Sequence, residues 1–319
     1  TDADIHLGRI DPQRFAAGKV PLAPDRAEAA INNDVARPLG LSSHMAAFGI
    51  VEMVDETMAN AARVHAVEQG RAASDYTVIA FGGAAPLHAG RFAEKLAVSR
   101  IIVPTDAGVG SAVGFLRAPV AYEVVRSRNL RLRHFDAEMV NEIFRDMHSE
   151  ALEVVRAGAP GSGLIESRLA YMRYLGQGHE IAVALPAEPL GDDAGQILQD
   201  AFDAAYSRLY ARTLPNAEVE VLTWGLTLTT PDNAPELLVE TAERHACDAV
   251  GVRQIFESES GEVHDIPLFW RPDLSPGAAV SGPAVIAEEA TSTFVPAAFS
   301  AHIADNGYII IDRNEEASP

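Results

Sequence analysis

The sequence has a single cysteine, Cys247, in 319 residues. No intramolecular disulfide can form, and the paired-thiol spacings of structural zinc sites are missing. That usage fits a reducing compartment, and the cytoplasm is the expected location. Positive charge is scarce as well: 25 Lys and Arg stand against 45 Asp and Glu, a formal net charge of -20. So acidic a surface repels phosphate backbones and anionic bilayers, which argues against nucleic-acid and membrane-surface partners. No apolar run approaches the roughly twenty residues that a membrane-spanning helix needs. The ten histidines are scattered. None pairs at helical i, i+4 spacing with a carboxylate to suggest a metal helix, so no metal site is expected within the chain. Ser43-His44 lacks the Gly-x-Ser-x-Gly elbow of a serine hydrolase. The first residues, Thr1-Asp2-Ala3-Asp4, carry neither Met nor a signal peptide and read as an internal start.

What is present is ample core material, 48% hydrophobic residues, enough for two or three compact units. The most informative stretch is Phe81-Gly-Gly-Ala-Ala-Pro-Leu-His88. A short β-favouring run, Tyr76 to Ala80, leads into it, and a helix-like run, Ala89 to Leu96, leads out. A strand that turns through two glycines into a helix offers bare backbone to a ligand, because no Cβ blocks the approach.

Elsewhere the pattern predicts a loop-rich stretch over 1–40, with prolines at 12, 21, 24 and 38. A long helix follows from Ser42, with Met45, Phe48, Val51, Val54, Met58 and Val64 as its apolar stripe and Gly70 as its stop. Arg100 to Pro104 reads as a buried strand, and Gly108 to Leu116 as a glycine-rich turn entering a helix. The texture changes near residue 120. A strand over Ala121 to Leu132, a helix over Asp136 to Arg156 and a hairpin over Ser167 to Leu185 are expected there. A helix over Gln196 to Tyr210 and a strand over Val219 to Thr230 follow. After a break at 231–235 comes a β-rich tail, with strands at Val252 to Phe256, Val263 to Trp270, Ala284 to Ala287 and Tyr308 to Ile311. Three regions are therefore expected: an α/β lobe over 1–120, an α+β region over 121–235 and a β-rich region over 236–319.

Several strings, in order along nearly the whole chain, carry a resemblance. Val78-Ile-Ala-Phe-Gly-Gly-Ala-Ala-Pro-Leu-His-Ala89 resembles the hallmark of the hydantoinase A / oxoprolinase family. Thr1 to Ile10, Arg100 to Gly114, Met172 to Glu180, Ser281 to Ile286 and Thr291 to Pro296 resemble further segments of that family, all from its C-terminal half. The resemblance implies half of an actin-like ATPase lobe of the acetate kinase, sugar kinase and Hsp70 type, followed by α+β and β-rich regions. It implies an ATP-dependent enzyme that activates a carbonyl or enol oxygen by phosphoryl transfer. The leading reading is a hydrolase of cyclic amides. An acetone or acetophenone carboxylase subunit is the second reading, and a non-catalytic assembly module the third.

In such folds a glycine elbow seats the adenosine, so Gly82, Gly83, Ala84, Ala85 and His88 are the candidate ATP contacts. His88 either reaches the ligand or satisfies backbone groups at the helix start; the roles of Asp2 and Asp4 stay open. Where many members have Gly-Gly-Ala-Gly-Pro, this chain has Ala85. If that position requires positive φ, alanine costs about 1 kcal/mol there. The acidic Asp-x-Gly-Gly-Thr phosphate loop occurs nowhere between Thr1 and Pro319. The phosphate and Mg²⁺ ligands are expected from an N-terminal half of the same subunit; no catalytic residue is assigned in this chain. A hydantoinase B-type subunit is expected as a further partner. A dinucleotide-binding reading of the same glycines lacks the Gly-x-Gly-x-x-Gly spacing.

Overall fold

The computed structural model describes residues 1–16, 18–191, 193–231, 242–257 and 260–314. The chain divides into two compact units, one joining Thr1–Leu116 to Glu236–Pro319 and the other formed by Arg117–Pro235. Among the described residues, no helix is long and apolar enough to cross a membrane.

The first unit opens with helices α1 (Asp2–His6), α2 (Pro24–Ile31), α3 (Arg37–Leu39) and α4 (Ser43–Glu68). Strand β1 (Val78–Ile79), helix α5 (Ala85–Leu96), strand β2 (Arg100–Val103) and helix α6 (Gly110–Arg117) follow. The expected loop over 1–40 is therefore partly helical. Pro24 stands in the first turn of α2, where its missing N–H has no intrahelical partner to lose. Ser42 caps α4 by accepting from the Met45 N–H at 3.2 Å, as its sequence predicts.

The face that α4 buries is not the one expected. Ala46, Ala47, Val51, Asp55 and Ala59 are its buried residues, whereas Met45, Val54, Met58 and Val64 are exposed. Small side chains let α1 and α5 approach the α4 backbone closely, so the longer residues turn away.

The second unit holds strand β3 (Ala121–Arg131), helix α7 (Ala137–Gly158), strands β4 (Ile165–Tyr174) and β5 (Ile181–Leu185), helix α8 (Ala194–Tyr210) and strand β6 (Val219–Thr229). Its four strands form an antiparallel sheet in the order β3-β6-β4-β5. Val140, Phe144 and Met147 of α7 and Leu198 and Phe202 of α8 pack with Met172, Trp224 and Leu226 of the sheet. The Trp224 indole donates to the Arg128 carbonyl at 3.0 Å, so its one polar atom is satisfied in the core. Gly176-Gln-Gly-His-Glu180 is the β4–β5 turn, and Gln177 Nε2 donates to the Tyr206 hydroxyl of α8.

The chain then returns to the first unit. The expected break at 231–235 lies, apart from Pro231, outside the described residues. Strands β7 (His245–Ala246), β8 (Gly251–Glu257), β9 (Glu262–Trp270), β10 (Ala278–Ser281), β11 (Ala284–Ala287), β12 (Ser292–Val295), β13 (Phe299–Ile303) and β14 (Ile309–Arg313) follow. This β-rich stretch adds strands to the sheet that β1 and β2 begin, in the order β1-β2-β14-β13-β10-β7. β1 and β2 are parallel, while β14 runs antiparallel to β2 with Ile311 opposite Ile101. The rest form a second sheet, β12-β11-β9-β8. Ala89, Ala93 and Leu96 of α5 share one core with Ile101, Val103, Phe299 and Ile311 of the larger sheet. Gly90 admits the close approach of α5 to the smaller sheet, since a Cβ there would lie 2.4 Å from the Pro296 ring.

Candidate functional site

The elbow leaves β1 at Ala80, whose N–H donates to the Ile102 carbonyl, and turns at Gly82 with φ +111. Apart from their immediate chain neighbours, no atoms lie within 4 Å of where a Cβ would stand on Gly82 or Gly83, so the turn presents open backbone. Its base is anchored from below. Gly82 N–H donates to the Ala107 carbonyl at 2.6 Å, and Thr291 Oγ1 donates to the Gly83 carbonyl at 2.7 Å. Ala84 is the N-cap of α5 and makes no side-chain capping bond. Pro86 has no N–H and the Leu87 N–H donates to the Ala84 carbonyl at 3.0 Å, so what the turn offers a ligand is its open glycine backbone and not a row of free amides. Ala85 is the first helical residue, and Gly82 carries the left-handed strain. The methyl of Ala85 thus imposes no backbone penalty. Beside the elbow, a cleft is lined by Gly83, Leu87, Arg14, Trp270, Glu288 and Thr291, with the Arg14 guanidinium 5.5 Å from the Trp270 ring.

His88 lies one turn into α5 and does not share the open face of the glycines. Its ring sits between two aspartates: Nδ1 is 2.9 Å from Asp55 Oδ1 on α4, and Nε2 is 3.7 Å from Asp4 Oδ2 on α1. Both aspartates are buried, at 4% exposure for Asp4 and 1% for Asp55. Arg9 Nη1 approaches Asp4 Oδ1 at 3.8 Å, and burial pulls the Arg9 guanidinium below its ordinary range against the opposing field of Asp4 and Asp55. The neighbours of the His88 ring are carboxylates rather than backbone groups. Asp2 is exposed, while Asp4 joins this cluster.

Sequence reasoning missed Asp55 and Arg9. The signal for Asp55 was a carboxylate at the i+4 position from Val51, inside the buried stripe of an otherwise apolar helix face.

On the outer side of the same helix pair, Arg91 grips Glu52 through both carboxylate oxygens, at 3.0 and 2.9 Å, and Lys95 adds a bond to Glu52 and one to Glu56. Hydrogen bonding from Arg91, ahead of that from Lys95, holds the Glu52 carboxyl down at about 2.

Other sequence candidates serve the fold. Cys247 Sγ faces the Ala279 carbonyl at 3.3 Å, and burial raises its thiol, the reverse of nucleophile activation. Ser43 Oγ meets His6 Nε2 at 2.9 Å, and His6 stacks on His44 at 4.4 Å. Burial, then His44, pulls the His6 imidazole down. Among the described residues no group of three or more His, Cys, Asp or Glu side chains is placed to hold a metal ion.

Two family profiles cover the chain in succession: Hydantoinase/oxoprolinase over residues 1–124 and Hydantoinase/oxoprolinase C-terminal domain over residues 131–312. The chain belongs to the hydantoinase/oxoprolinase family. Both the glycine elbow and the His88 cluster lie within the first profile.

The caprolactamase subunit alpha of Pseudomonas jessenii is 27% identical over 302 residues, covering 93% of this chain and 43% of that protein. The acetone carboxylase beta subunit of Xanthobacter autotrophicus is 27% identical over 314 residues, covering 94% of this chain and 44% of its own length. A nucleotide-free acetone carboxylase structure superposes with a TM-score of 0.76 at 24% identity, over 98% of this chain and 46% of that one. The mixed α/β fold class is thus shared with a family structure. This chain spans about half the length of the curated relatives it matches.

Proposed function

We propose that this chain supplies the adenosine side of the ATP site in an ATP-dependent enzyme that opens cyclic amides. The observation that carries the reading is the open glycine turn Gly82–Gly83 at the start of α5, unobstructed by side chains and anchored below by Ala107 and Thr291. Backbone free of Cβ atoms suits a ribose and phosphate chain passing close to the turn. ATP fits these residues: Gly82, Gly83, Ala84 and Ala85 form the contact surface, and the Arg14–Trp270 pair lies in the adjoining cleft. His88 holds the elbow helix to α1 and α4 through Asp4 and Asp55.

ATP when bound would supply a phosphoryl group that activates a carbonyl oxygen. The part of the relatives not spanned by this chain is the proposed source of the phosphate and Mg²⁺ ligands. A hydantoinase B-type subunit is proposed to complete the substrate site. The named relatives are subunits of a caprolactamase and of an acetone carboxylase, and the cyclic-amide reading draws on the first. Ketone carboxylation is the second reading, drawn from the acetone carboxylase likeness.

Calorimetric titration of the 319-residue chain with ATP tests the nucleotide assignment. Weak binding by the chain alone, tightened when the N-terminal half of a family member is added, is the expected result. No binding in either arrangement would reject the assignment and leave a non-catalytic assembly module. With the full complex, lactam-dependent against ketone- and bicarbonate-dependent ATP turnover separates the two chemistries.

A further inference from the structure

Strand β1 is the outermost strand of the six-stranded sheet and pairs, among the described residues, with β2 alone. Ile79 stands opposite Ile102, and the Ala80 N–H donates to the Ile102 carbonyl. In a parallel ladder of this register Val78 and Ala80 turn their backbone groups to β2, so Ile79 turns its N–H and C=O to the open side. A bare edge is a template for another strand, and proteins guard such edges with charge or proline. The outer strand β3 of the other unit is guarded in this way, with Arg126, Arg128 and Arg131 all exposed. Tyr76 to Phe81 holds neither charge nor proline, which is the composition of a strand from the interior of a sheet.

The surroundings of this edge are apolar and uncovered. A groove of about 650 Å³ runs beside β1, lined by Ala62 and Ala66 of α4, Phe92 and Leu96 of α5, and Val78 and Val98. Ile79 is 60% exposed and Phe81 53%. The Phe81 ring lies against the start of α6, 3.2 Å from where a Cβ would stand on Gly110. Helix α6 itself has no buried residue, and Phe115 and Leu116 are each 84% exposed. The bare edge therefore adjoins two further uncovered apolar surfaces, the groove through Val78 and α6 through Phe81. Apolar surface this continuous marks a site of association.

We propose that this edge takes up a β-strand from the N-terminal half of the family subunit, whose alternate side chains fill the groove. The outward N–H and C=O of Ile79 gain partners in that strand, and its apolar side chains meet Phe92, Leu96 and Val98. The matched region is 43% of the caprolactamase subunit alpha and 44% of the acetone carboxylase beta subunit. More than half of each relative therefore lies outside this fold yet in the same subunit, where its effective concentration at the edge is high. A second copy of this chain is the poorer occupant, since each copy brings a formal charge of -20 and the two repel. The proposal rests on the family membership and the open edge, and is independent of the ATP assignment.

The test co-expresses the 319-residue chain with the N-terminal half of the caprolactamase subunit alpha, then reads sedimentation and amide hydrogen exchange without nucleotide. The expected result is a one-to-one complex in which the Ile79 amide exchanges at least about tenfold more slowly than in the chain alone, the effect of one added backbone hydrogen bond. Ile79→Pro removes only the outward N–H and keeps the bonds of Val78 and Ala80 to β2, while Ala66→Trp occupies the groove. Each is expected to weaken the complex about tenfold or more and to leave the melting temperature of the chain alone unchanged. Should Ile79→Pro fail to fold, Ala66→Trp and the exchange data decide. No complex, unchanged exchange at Ile79, variants that associate like the parent, or a dimer of this chain that protects the same amide would overturn the proposal. ATP titrated against the chain alone reads the elbow separately, so failure at the edge and failure of the ATP assignment are distinguishable.

Discussion

His88 Nδ1 stands 2.9 Å from Asp55 Oδ1, yet neither atom completes a hydrogen bond. Together with Asp4 on the other side of the ring, this contact ties α5 to α4 and α1 beneath the glycine elbow. Deleting the ring removes the imidazole beside Asp55, while Asp4 keeps Arg9 at 3.8 Å. His88→Ala is expected to destabilise the chain by about 2–3 kcal/mol, read as a lower urea midpoint with an unchanged slope. The double variant His88→Leu with Asp55→Leu should recover part of that loss, since apolar replacement of both partners removes the unmet desolvation cost. A single variant within about 0.5 kcal/mol of the parent would show that the ring is not integral to the cluster.

Gly82 adopts φ +111 in open space. Gly82→Ala therefore meets no steric neighbour and suffers only backbone strain, about 1 kcal/mol. The added methyl also stands where a nucleotide would approach. A small fall in melting temperature with a large fall in ATP affinity is the expected pairing. Unchanged ATP affinity would place the nucleotide elsewhere.

Ala85 gives the converse case. It is the first residue of α5, so Ala85→Gly restores the commoner family residue without relieving any strain. Stability should drop by about 0.5–1 kcal/mol from lost helix propensity, measured by chemical denaturation. A gain in stability would mean that position 85 prefers left-handed backbone.

Glu52 supplies a pH signature. Its carboxyl is held at about 2 in the folded chain, down from 4.5, first by the hydrogen bond from Arg91. A depressed carboxyl stabilises the fold above its unfolded value and loses that contribution as pH falls through the folded one. The α4–α5 contact should therefore weaken between about pH 4.5 and pH 2. Glu52→Gln should flatten that part of the stability profile while leaving the profile above pH 6 parallel to the parent. Because Glu52 and Arg91 are partly solvated, added salt should shrink the difference between the two curves. An identical acid limb in the variant would assign the acid loss to other carboxylates.

Much of the architecture was legible because its signals are local. Ser42 as a cap, Gly176 at a hairpin turn and the short β-favouring runs of β8 and β9 each act within a few residues. The short strands β10 and β13 were not anticipated, and β12 only through the resemblance of Thr291–Pro296 to a family β-segment. Each is four or five residues long and largely buried, which leaves too little alternation to mark it off from a loop. Pro24 misled because a helix-starting proline and a loop proline look alike without the residues that follow being placed. The glycine elbow was visible as a contiguous string. The Asp4–His88–Asp55 cluster was not, since its members come from three helices and meet only through tertiary packing. The long residues of α4 pointed to the wrong face for a related reason: its burial follows the small residues that admit close neighbours, not the large ones.

Strand β14 pairs with β2 across more than two hundred intervening residues, and β13 reaches the larger sheet only through β14 and β10. Arg117–Pro235, by contrast, is a continuous stretch with its own sheet and core. During synthesis the inserted unit can therefore close while β1 and β2 still wait for their sheet, whose middle is filled by nearly the last described strand to emerge. A ribosome stalled before Ile309 should display a protease-resistant 117–235 fragment beside an elbow that has not yet gained its support.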